Sequence, residues 1–186
     1  MFSIEVMVEE HENISRMLKV VRKVCFNIMN GAEIPYDDFE KIVDFVKNYA
    51  DEHHHGKEEK ILFDKMQEHL GALGNKLITH GMLVEHDFGR LYMHELREAL
   101  ARVKAGDEES KLDVIANAIS YTHLLQRHID KENNVIYPFG QKNLSEEVLN
   151  QVHDLTVSFE ENAKAAGTQE KYISLLKKLE EKYVID

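Results

Sequence analysis

His54-His55-Gly56-Lys57-Glu58 and His128-Ile129-Asp130-Lys131-Glu132 are two copies of one pattern, HxxxE. Four residues of helix make close to one full turn, so in each copy the imidazole and the carboxylate leave the same face, one above the other. Each copy therefore offers a nitrogen and an oxygen to one shared point. Upstream of each lies a Glu-His pair, Glu10-His11 and Glu85-His86. The spacings agree, at 43 residues from His11 to His54 and 42 from His86 to His128. The chain repeats one half-site of metal-ligand type.

The sequence around these stretches reads as helix after helix. Ile4, Met7, His11, Ile14, Leu18, Val21, Cys25 and Ile28 recur in steps of three and four, which predicts an amphipathic helix with His11 on its buried stripe. Asn30-Gly31 ends it, and Pro35 starts a second that carries Phe39, Ile42, Val46, Ala50, His54, Glu58 and Leu62 toward Gly71. A third is expected from about Lys76, with Met82, His86, Gly89, Met93 and Leu96, broken at Ala105-Gly106-Asp107. The fourth runs from about Glu109 through Leu125, His128 and Glu132 to Val135, weakened by Pro138 and Gly140. Beyond it, Asn143 with Glu146 resembles a helix start, and two further amphipathic segments follow, separated by Ala165-Ala166-Gly167.

The expected fold class is all-α: an antiparallel up-down four-helix bundle over residues 1–142, with a helical extension over 143–186 that covers it. The whole, 1–186, is expected to be a single domain. The tail carries no ligand-like constellation, and a regulatory or dimerising role for it is the minority reading.

Composition narrows the function classes. Nine glycines and two prolines among 186 residues, with 43% hydrophobic and 31% charged, suit a helical soluble protein. A single cysteine, Cys25, excludes an intramolecular disulfide and fits a reducing cytoplasm. The acidic N-terminus lacks the basic flank and apolar run of a signal peptide, and no stretch approaches the roughly 20 apolar residues of a membrane span. A net charge of −11 makes nucleic acid and anionic membranes poor partners. No protein partner is indicated.

Six residues have the chemistry of a two-metal centre. Glu58 and Glu132 can each span two ions, while His11, His54, His86 and His128 cap them. Each ion then receives four protein bonds; a bridging oxide or hydroxide leaves one position per ion for solvent or dioxygen. Imidazole and carboxylate without thiolate favour iron or manganese over a structural zinc site. One HxxxE is weak evidence, since i,i+4 pairs of His and Glu stabilise helices by themselves. Two copies, each paired with a histidine on an apolar stripe, reverse that, because six such groups buried without metal would be costly.

His55 and Glu59 form a second, overlapping HxxxE. Steps of one turn back from His54 reach Ala50 and Val46, whereas those from His55 reach Asp51 and Lys47, so the first register is the one on the apolar stripe. His55 and Glu59 are then expected outside the ligand set, at the surface or orienting metal-bound imidazoles, with a ligand role as the minority reading. His123 is expected to be structural, and His53, His69, His80, His94 and His153 to be solvated or locally hydrogen-bonded. Met82, one turn before His86, should line the centre.

These residues resemble the bacterial hemerythrin-like, or HHE cation-binding, proteins. The resemblance rests on Glu10-His11, on His54 to Glu59 with Leu62-Phe63, on Glu85-His86 with Gly89-Arg90, and on His128 to Glu132 with Tyr137-Pro138. In the tail, Phe159-Glu160-Glu161 and Glu170-Lys171-Tyr172 also look like the family. It implies a non-haem di-iron centre of Fe-O-Fe type, with Mn or Zn as possible substitutes, in a family associated with binding or sensing oxygen and with handling iron or nitric oxide. Oxygen carriers of that family typically have a further histidine where this chain has Met82. The resemblance therefore implies two ions that are more alike and more open than in a carrier with five histidines. Beside binding or sensing of dioxygen stand redox turnover of peroxide or nitric oxide, iron storage and iron-centre repair. A metal-poor interaction module is a third class.

Overall fold

The computed structural model describes residues 2–184, and every regular element among them is helical. Helix α1 spans Phe2–Met29, α2 residues 36–69, α3 residues 71–104, α4 residues 111–143, α5 Glu146–Ala165 and α6 Thr168–Tyr183; a short 3₁₀ turn, Glu108–Ser110, precedes α4. Partner numbers fall along one helix as they rise along its neighbour. Glu10 meets His53 while Asn13 meets Tyr49, and Glu85 meets His128 while Arg102 meets Asp113. The first four helices thus form the antiparallel bundle, each buried on the face its apolar spacing marks.

The predicted stripe of α1 is buried along its length, from Ile4 through His11 to Ile28. The helix closes on Gly31, whose φ of 93° lets the Ala32 amide reach back to the Asn27 carbonyl at 3.0 Å. Three boundaries differ from the sequence expectation. Helix α3 starts at Gly71 rather than near Lys76, because Gly71, at φ 61°, turns the chain at once. Helix α4 continues past Pro138 to Asn143, since the proline enters just after a widened turn, in which the Tyr137 amide bonds the Glu132 carbonyl five residues back. Helix α5 is capped by Ser145, whose Oγ accepts from the Val148 amide at 3.3 Å; Asn143 belongs to the helix before it.

Widened, i→i+5 turns also occur at Val46–His55, Glu58–Phe63 and Ile78–Met82. They cluster at the level of the repeated motifs, where such turns often mark functional sites. The apolar core is correspondingly split. One cluster, with Ile14, Val21, Phe45, Tyr49, Leu96 and Leu125, fills one end of the bundle, and another, with Met7, Phe63, Met66, Ile78, Met82 and Tyr137, fills the other. Between them lies a buried polar layer.

Helices α5 and α6 cover α1 and α2. Leu176 and Leu179 join the first cluster, Val148 and Val152 the second. At the rim, Arg16 donates from Nε to Glu180 at 2.8 Å, and Tyr183 donates to Asp38 at 2.6 Å. No helix among the described residues is long and apolar enough to cross a membrane.

Candidate metal centre

The polar layer gathers all six sequence-predicted residues and adds a seventh. His11, His54, Glu58 and Glu132 bring donor atoms within 4.8 Å of one another, and so do His55, Glu58, His86 and His128. Glu58 belongs to both groups. Glu132 also faces both, with Oε2 3.2 Å from His11 Nε2 and Oε1 3.1 Å from His128 Nε2. All seven side chains are at most 4% exposed.

Each histidine is aimed by an oxygen on its other nitrogen. His54 Nδ1 lies 2.9 Å from Glu10, His128 Nδ1 2.9 Å from Glu85, His86 Nδ1 2.7 Å from Glu59 and His11 Nδ1 2.8 Å from Asn133. Glu10, Glu59 and Glu85 are all held ionised: burial opposes this, but the bonds from histidines and from Lys57, Arg90 or Lys131 outweigh it. An ionised carboxylate only accepts, so those Nδ1 atoms each carry a proton, and Nε2 is the nitrogen left to offer a lone pair to a metal once the ring is neutral. That is the arrangement by which outer groups fix metal-binding imidazoles.

The motif HxxKE with one following residue thereby acquires a job for each position. The lysine ties down the acid that holds the motif's own histidine: Lys57 to Glu10, Lys131 to Glu85. The residue after the glutamate reaches across to the other half-site, Glu59 to His86 and Asn133 to His11. Five residues past each glutamate an aromatic ring stacks on that same histidine, Phe63 on His86 and Tyr137 on His11.

The donor atoms fit metal rather than one another. Of six buried side-chain polar atoms without a hydrogen-bond partner among the described residues, five are here: His54 Nε2, His55 Nε2, Glu58 Oε2 and both oxygens of Glu132. His86 Nε2 and His128 Nε2 face each other at 3.0 Å. Without cations the layer balances its charge by proton placement. Burial raises Glu58 well above the usual carboxylate value, and the neighbouring Glu132 adds to this. For Glu132 burial is overcome by His128, His11 and His86, which hold it well below that value. His128 resists burial through Glu132 and Glu85 and rises to about 9, whereas burial and His11 lower His54 to about 4.

Several sequence expectations are corrected. His55 is not at the surface: it is buried, its ring stacks on His86 at 3.8 Å, and its Nδ1 lies 3.3 Å from Asp51. Residue 51 looked solvent-facing because the register argument allowed α2 one buried stripe. Asp51 instead points to α3, where Arg90 binds it. His53 is not solvated or locally bonded but buried, 2.8 Å from Glu10 on α1. His123 is exposed and has no structural role in the core. The most hidden surprise is Lys57, 1% exposed, bonded to Glu10 and to Glu160 of α5 beneath the Phe159 ring. Glu10, His53 and Glu160 could have held a third cation, and the Lys57 ammonium fills that place. The HxxKE spacing contains Lys57, but nothing in a sequence distinguishes this lysine from a solvated one.

A family model described as Hemerythrin HHE cation binding domain matches residues 3–139. No curated protein and no solved structure matches the chain.

Proposed function

The chain belongs to the hemerythrin family of HHE cation-binding domains, and from that membership we propose that it is a cytoplasmic di-iron protein that binds or senses dioxygen or a related small ligand. The observation that carries this reading is the set of orphaned donor atoms facing one another between two apolar clusters. His11, His54, His86 and His128 would cap two ions and Glu58 and Glu132 would bridge them. Iron suits these donors, with Mn or Zn as substitutes, since imidazole and carboxylate without thiolate suit such ions. The pair of ions would supply a redox-active Lewis-acid site with room for one small exogenous ligand.

The protein's own contribution is placement and exclusion. Glu10, Glu59, Glu85 and Asn133 hold each imidazole in one tautomer, and the apolar clusters keep bulk water from the layer. The Tyr137 hydroxyl donates to Glu58 Oε1 at 2.5 Å and lies 3.4 Å from His11 Nε2. A phenol so placed favours a second reading, redox turnover of peroxide or nitric oxide, because it could hand a proton to a reduced ligand. Iron storage and iron-centre repair would draw on the same donors.

Exposure of the reduced, iron-loaded protein to dioxygen tests the reading. Binding or sensing predicts a change in absorption that reverses when oxygen is removed. Sustained consumption of peroxide or nitric oxide with an added reductant, and no reversible oxygen response, would favour the enzyme.

A further inference from the structure

The two half-sites are not equivalent, and two departures from the repeat make the difference. At the second position of the motif one copy has His55 and the other Ile129, a buried residue of the apolar core. Five residues beyond the glutamate, one has Phe63 and the other Tyr137. Both departures follow one division: His55 and Phe63 stack on His86, while Tyr137 stacks on His11.

We propose that His55 is a fifth nitrogen donor, completing the ion held by His86 and His128 and leaving the open position on the ion held by His11 and His54. This rests on the two-ion reading above. The warrant is geometric. His55 Nε2 is buried without a partner, its Nδ1 is held by Asp51 as the other histidines' Nδ1 atoms are held, and it shares one cluster of donor atoms with Glu58, His86 and His128. Asp51 is in turn fixed by Arg90, which also binds the Glu59 that holds His86. One guanidinium thus braces both stacked imidazoles.

Counting donors gives the consequence. With both carboxylates bridging, the ion at His86 and His128 would draw five bonds from the protein and a solvent-derived bridge would fill its sixth position. The ion at His11 and His54 would draw four and the same bridge, so it alone would accept an exogenous ligand, beside the Tyr137 hydroxyl. The fifth imidazole that oxygen carriers of the resembled family place on the third helix is here supplied by the second. A cavity of about 190 Å³ reaches His55 and His86 from outside, lined by Val46, Met93 and Tyr121 and by Arg90 at the polar side. It is large enough for a free imidazole once the His55 ring is removed.

Cobalt(II) titration of the apo protein, followed by d–d absorption, tests the assignment. Wild type should take up two ions with distinct spectra, one six-coordinate. His55→Ala should bind one of them at least about tenfold more weakly and lose the six-coordinate signature, with added imidazole restoring it. His55→Phe keeps the stack on His86 and should behave like the alanine variant but without rescue. Circular dichroism and the melting of the apo forms show that the variants fold. Two ions with a wild-type spectrum in His55→Phe would overturn the assignment and make His55 a packing residue. Failure of wild type to take up a second ion would overturn the two-ion reading itself.

Discussion

Glu10 and His54 are 44 residues apart in sequence, and the carboxylate of the first accepts the Nδ1 proton of the second at 2.9 Å. Glu85 and His128 repeat the relationship at the same distance. The Glu-His pairs visible in the sequence are thus split in function. In each, the histidine faces the centre and the glutamate aims the histidine of the adjacent helix.

Glu10→Gln and Glu85→Gln should therefore weaken metal binding without removing a ligand. Loss of such outer partners costs about 10–100-fold in affinity. Competition titration against a chelator would read it, and affinities equal to wild type would contradict the roles assigned to both carboxylates.

The motif lysines should differ in stability although they share a position. Lys57 is 1% exposed between Glu10 and Glu160, whereas Lys131 is 45% exposed. Lys57→Met strands buried carboxylate charge and should cost about 3–5 kcal/mol, while Lys131→Met should cost less than about 1 kcal/mol. Urea denaturation of the apo proteins checks this, and similar midpoints for the two variants would contradict it.

Apo stability should peak near pH 6.5. Between the ordinary carboxylate and histidine values, 4.5 and 6.5, the unfolded chain has charged His54 and His55 and ionised Glu58. The folded chain keeps both histidines neutral, lowered first by burial, and Glu58 protonated, raised first by burial. Two histidines gaining protons outweigh one carboxylate losing its own, so unfolding takes up protons on balance and stability rises with pH. Above 6.5 the folded state alone retains a proton on His128, which burial opposes but Glu132 raises to about 9, and the upward shift of Glu58 acts in the same direction. Stability then falls as pH rises. Thermal melts across pH 4.5–9 would show the maximum, and a monotonic profile would contradict it.

Metal loading should release at least one proton per chain near neutral pH, from His128, with the upward-shifted Glu58 adding in the same direction, because ligands bind deprotonated. Calorimetric titration in buffers of different ionisation enthalpy gives the number. A value near zero would mean that these two residues do not change protonation when metal binds.

Much of this was legible in the chain. The repeated spacing placed His11, His54, Glu58, His86, His128 and Glu132 in one layer because i,i+4 geometry survives even the widened turns. The register of α2 was less legible. Its neighbours α1, α3 and α5 surround it, so His53, His54 and His55 are all buried, the first two against the two oxygens of Glu10 on α1 and the third against His86 on α3. A rule that allots a helix one apolar stripe had to expose two of them. Glu160 was invisible for another reason: its partner, Lys57, lies 103 residues away and no motif joins them.

How much iron the folded chain holds is the most direct test of the two-ion centre. Apo protein should be loaded anaerobically with ferrous iron, freed of excess, and analysed for iron per chain. Wild type should hold two, falling to one or none in His54→Ala and Glu58→Ala. Iron near zero in folded wild-type protein, or two ions retained in both variants, would contradict it.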